Sequence, residues 1–126
     1  MKQEVSFVML ALLVIACVVS CVWRIHSIAD SPSKSEKYLN YTAPGQGADR
    51  FYRFLIRKVG NEYRAYIVKS PGYCGRATDG HSTHRHYDGQ YYVCWSVPVS
   101  NTRDMVNIAK TWADCTQKYI EYGTKF

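Results

Sequence analysis

The sequence predicts an α+β protein: an N-terminal transmembrane helix followed by a small β-β-β-α domain, in which an antiparallel sheet is covered on one face by a C-terminal helix. Three observations carry this expectation. Nineteen residues from Val5 to Trp23 hold no charge. Aromatic and β-branched runs near 51–58, 62–69 and 91–97 are bounded by turn residues. The C-terminal segment repeats apolar side chains at helical spacing. A chain of 126 residues with such a start has room for one small domain. It divides into an anchor over 1–25, a flexible linker over 26–49 and a domain over 50–126.

In the anchor, nineteen helical residues match a hydrocarbon core of roughly 30 Å. Trp23 and Arg24 close the run as interfacial residues do. Lys2, offset in part by Glu4, stands against Arg24, Lys34 and Lys37 after the run, so the Lys/Arg bias places the domain in the cytoplasm of a single-pass membrane protein. A competing reading is a lipoprotein with the domain outside, because "VVSC" (18–21) and "VIAC" (14–17) resemble an acylation signal. Glu4 and an apolar run that continues through the candidate cysteine favour the retained helix. Ser, Pro, Gly and Lys then dominate "SIADSPSKSEKYLNYTAPGQGAD", which reads as a tether. "NYT" at 40–42 fits a glycosylation acceptor only in a eukaryotic secretory lumen.

The domain opens with "RFYRFLIRKVGNEYRAYIVK", two strand-like runs around Gly60-Asn61, hence a hairpin. Pro71 and Gly72 end the second strand, and Pro98 closes the third. In the helix, Met105, Ile108, Ala109, Trp112, Thr116, Tyr119 and Ile120 form one stripe. Asn107, Lys110, Asp114, Gln117, Lys118 and Glu121 take the other side. The cap falls among Ser100, Asn101 and Thr102, and Gly123 ends the helix.

One helix covers one face of a sheet, so alternation decides what the open face carries. Tyr52, Phe54, Ile56, Ala65 and Ile67 go under the helix, which leaves Arg53, Arg57, Arg64 and Tyr66, with Tyr92, outside. Interleaved basic and aromatic groups can neutralise phosphates and stack bases, so nucleic acid is one partner class. An anionic ligand, a protein, or a second copy joined through the open face are others. Ordinary cross-strand pairing on a solvated face is the simplest reading. Residues 43–126 hold twelve Lys/Arg and seven Asp/Glu, a surplus of +5 that suits an acidic partner but is also common on idle surfaces.

About twenty residues, "SPGYCGRATDGHSTHRHYDGQ", join the second and third strands, a length usually spent on function. His81, His84, Arg85 and His86 make this the candidate working loop. Zinc would use Cys74, His81, His84 and His86, with Cys94 nearby, but the spacing fits no knuckle, and no cofactor is expected. Phosphoester or nucleic-acid hydrolysis is the enzyme alternative. His84-Arg85-His86 with Tyr122 and Lys125 echoes tyrosine-dependent single-strand nucleases, and histidine acid–base work with Arg85 on a phosphate is a second route. Neither finds its remaining groups. The structural reading outweighs them: Thr83, His84 and Arg85 bond within the loop, with Asp79 or Asp88, and order it over the sheet. Three cysteines in the domain, Cys74, Cys94 and Cys115, imply no disulfide framework and a reduced compartment.

Over 50–126, "THRHYDGQYYVCW" followed by "IAKTWADCTQKYIEYG" resembles small uncharacterised bacterial proteins of mobile-element type. The resemblance implies a bacterial origin and carries no activity. The expectation is therefore a membrane-anchored binding or interaction module, not an enzyme, that uses the histidine loop and the basic-aromatic face.

Overall fold

The computed structural model describes residues 35–126; the expected transmembrane segment, the candidate acylated cysteines and most of the expected linker lie outside them. Among the described residues no helix is long and apolar enough to cross a membrane. In chain order the elements are β1 (Lys37–Thr42), β2 (Phe51–Val59), β3 (Glu62–Lys69), a single helical turn α1 (Gly80–Thr83), β4 (Arg85–Tyr87), β5 (Tyr91–Val93) and α2 (Thr102–Tyr122). The five strands form one antiparallel sheet in the order β1-β2-β3-β5-β4.

The expected hairpin is present, with Val59 opposite Glu62 and Gly60 at φ 62° in the first of two connecting positions, where a type II′ turn needs glycine. Alternation then sends Tyr52, Phe54, Ile56 and Ala65 into the core, each wholly buried. Trp112 of α2 meets Tyr52 and Phe54 edge-on, with ring centroids 6.1 and 5.9 Å apart, the geometry that ring quadrupoles favour. Asn101 caps α2 by accepting from the Asp104 N–H, and Gly123 ends it at φ 72°. Both caps fall where the sequence places them.

The sheet is larger than expected. Residues 37–42, part of the predicted linker, form β1 as an edge strand: Leu39 and Tyr41 pack against the core, and the Tyr41 hydroxyl donates to Asp114 at 2.7 Å. The alternation in "YLNYT" is short and its Ser, Pro and Gly neighbours mask it, so only pairing with β2 defines it. The long loop is likewise not structureless, since it holds α1 and β4. The third predicted strand, 91–97, stops at Val93. The Cys94 N–H still bonds to the His84 carbonyl, but the chain then leaves the sheet, and Pro98 has no N–H to offer a ladder.

On α2, Gln117 belongs to the buried side, not the solvated one. It is 1 % exposed, accepts from the Tyr52 hydroxyl at 2.9 Å and donates to the Asp49 carbonyl at 3.3 Å. These bonds offset the cost of burying an amide, which sequence periodicity cannot foresee.

Candidate binding surface

The histidine loop is organised around Thr83, which is wholly buried. Its hydroxyl donates to the Asp79 carbonyl at 2.7 Å and accepts from Arg85 Nε at 2.9 Å. Asp79 caps α1 through the Ser82 N–H, a bond that holds its carboxyl below the usual carboxylate range. Arg85 also donates to the Thr78 carbonyl and lies between two rings, 5.1 Å from the centroid of Tyr73 and 3.9 Å from that of Tyr91. The indole of Trp112 donates to the carbonyls of Thr83 and His84, which fastens the loop to α2. Of the bonds expected within the loop, Thr83 reaches Asp79 through its backbone carbonyl, Arg85 binds Thr83 and Thr78 in place of an aspartate, and Asp88 takes no part.

His84 sits at φ 47°, a left-handed position that turns the chain from α1 into β4. Its ring stacks on Phe126 at 4.6 Å, on the helix side of the sheet. His86 lies on the opposite side, 5.4 Å from Tyr92, and His81 is exposed. The His81 and His84 rings lie 6.3 Å apart, so the loop sets only His86 away from the other two. Cys74, exposed, directs its thiol at the Gly72 carbonyl, and among the described residues no group of three or more His, Cys, Asp or Glu is placed to hold a metal ion. The zinc set of the sequence, Cys74, His81, His84 and His86, is not brought together.

The open face is better defined. Register aligns Tyr38, Leu55, Tyr66, Tyr92 and His86 in one row across all five strands. Both helices lie behind the sheet, since Trp112 joins α2 to α1 there. Arginines roof the row: Arg53 stands 4.4 Å above the Tyr38 ring, Arg57 5.2 Å from Tyr66, and Arg64 4.6 Å from Tyr92. Leu55 and Tyr66 are consequently only 6 % and 5 % exposed on a face that neither α1 nor α2 covers. Tyr66, expected at the surface, is a buried support.

The expected basic character is also offset in place. Arg57 pairs with Glu36 at 2.6 Å, and Arg64 pairs with Glu62 at 3.0 Å and Asp88 at 2.9 Å. Asp88 further accepts from the Tyr66 hydroxyl at 2.7 Å, and that bond first, then the Gln90 backbone N–H and Arg64, holds its carboxyl below the usual range. A base stacking on Tyr92 would have to displace a guanidinium held by two carboxylates. Arg53, Arg57, Arg64, Tyr66 and His86 do share this face, while His81, His84 and Arg85 belong to the loop behind it.

One residue missed by the sequence reading stands out here. Trp95 is 47 % exposed and borders three clefts. The first, about 270 Å³, runs beside Arg64, His86 and Tyr92 on the open face; the second, about 330 Å³, is lined by His84, Cys94, Trp112, Cys115 and Phe126. The signal was the apolar pair Trp95 and Val97 beside a strand-breaking Pro98. Compared with known proteins, the chain matches no family model, no curated protein and no solved structure.

Proposed function

We propose that the chain is a single-pass membrane-anchored binding module, with its domain on the cytoplasmic side, that docks a protein partner on the open face of its sheet. The carrying observation is the aligned row Tyr38-Leu55-Tyr66-Tyr92-His86 under a layer of arginines whose charge is largely met by Glu36, Glu62 and Asp88. Tyrosine and arginine are the side chains enriched at protein interfaces, and compensated charge weakens attraction to a polyanion without removing hydrogen-bonding capacity. The aliphatic stems and rings are held in place before binding, so little side-chain entropy is lost on docking. The anchor rests on the uncharged run Val5–Trp23 and the cytoplasmic placement on the Lys/Arg bias after it.

The test is photo-crosslinking of the full chain in cells, with a benzophenone amino acid replacing Tyr38 or His86 on the open face, or Lys118 on the exposed side of α2. The expected result is a discrete adduct from the first two positions and none from the third. A mass equal to twice the chain would identify the partner as a second copy. Equal labelling at all three positions, or none at any, would remove the open face from consideration.

A further inference from the structure

We propose that one end of the domain rests on the bilayer surface, with the Trp95–Pro98 segment set among lipid headgroups and the basic residues around it facing anionic lipid. This rests on the membrane-anchored reading above, and it concerns the end of the domain that adjoins the open face of the sheet.

Register shows which groups share that end. Glu36 pairs with Arg57, Val59 turns into Glu62, and the Tyr63 N–H donates to the Val99 carbonyl at 2.8 Å. The start of β1, the β2–β3 turn, the Trp95–Val99 segment and the first turn of α2 therefore lie together. Trp95 and Val97 are 47 % and 60 % exposed there, and Pro98 is exposed beside them. Large apolar side chains clustered in water on a small domain call for a cover.

The surrounding charges indicate which cover. Lys37, Lys58 and Arg103 are exposed at this end, as is Asp104; Arg57 and Arg64 are half-buried. Glu36 is paired by Arg57 and Glu62 by Arg64, whereas Asp104, bonded to the neutral Asn101 amide within the cap, keeps its charge. Lys37, Lys58 and Arg103 outnumber it, so the local surplus is positive. Tryptophan flanked by basic residues suits the headgroup layer, where an indole is half in hydrocarbon and half in water and cations meet an anionic leaflet.

Chain length agrees. The residues from Arg24 to Glu36 number thirteen, so β1 begins at most roughly 45 Å of extended chain from Trp23. The polypeptide enters the domain at the end that carries Trp95, which keeps that end within reach of the surface.

The test uses the full chain carrying Trp23→Phe, reconstituted in bilayers of brominated phosphatidylcholine with or without brominated phosphatidylglycerol. Trp112, 3 % exposed, is shielded from lipid-borne bromine, and a Trp95→Phe companion isolates the Trp95 signal. The expected result is Trp95 emission that is quenched and shifted to shorter wavelength, more so with the anionic lipid, and a smaller effect in a Lys37→Gln, Lys58→Gln variant. Unquenched Trp95 in protein that resists alkaline extraction would overturn the proposal while leaving the anchor intact. Protein released by alkaline extraction would overturn the anchored reading and this proposal with it.

Discussion

The indole N–H of Trp112 points at the carbonyl oxygen of His84, 3.1 Å away, and shares its proton with the Thr83 carbonyl at 3.0 Å. A core residue of the helix therefore holds the turn from which β4 starts. Trp112→Phe keeps most of the ring packing on Tyr52 and Phe54 but takes the indole donor from the Thr83 carbonyl, while the His84 carbonyl keeps the Cys94 N–H. We expect a loss of about 1–3 kcal/mol in chemical denaturation, with faster amide exchange concentrated in residues 79–86. Exchange that speeds uniformly across the domain would count against a local role.

Gln117 and Tyr52 provide a separable pair. Gln117→Ala strands the Tyr52 hydroxyl in the core and should cost on the order of 2–3 kcal/mol. A Tyr52→Phe, Gln117→Leu double variant removes both polar partners and is expected to recover most of that loss. Additive costs in the double-mutant cycle would show that the hydrogen bond is not what holds Gln117 inside.

Asp88 links the open face to acid stability. Its carboxyl is held below the usual range, first by the Tyr66 hydroxyl and then by the Gln90 backbone N–H and Arg64, so the folded chain ionises it more readily than the unfolded chain does. Its contribution is fully present above the unfolded value, near pH 4, and is lost as pH falls through the lower folded value. Tyr66→Phe should move the Asp88 titration, followed by carboxyl NMR, up toward the usual range. An unmoved midpoint would assign the effect to the Gln90 N–H and Arg64 in place of Tyr66.

Arg85 is held as a plane between the rings of Tyr73 and Tyr91 while it donates to Thr83 and Thr78. Lysine keeps the charge but has neither the fork nor the flat face. Arg85→Lys should therefore lower stability by about 1–2 kcal/mol and broaden the Tyr91 ring resonances, a change that neutral loss of charge would not produce.

Local patterns along the chain are enough to predict the α+β class, the β2–β3 hairpin, the inward set Tyr52, Phe54 and Ile56, and the helix between Asn101 and Gly123. Each depends on neighbours within a few residues: a two-residue turn, a period of two or 3.6, a capping side chain. Long-range packing, by contrast, makes the tether contribute β1 and the histidine loop β4, and turns Gln117 inward. It also decided the character of the open face. Arg53, Arg57 and Arg64 were legible as its residues, but Glu36 is 21 residues from Arg57 and Asp88 is 24 from Arg64, and such pairings leave no local period to read. Trp95 was hidden for the same reason: a β-rich run looks like a strand until the sheet ahead of it shows that no partner continues.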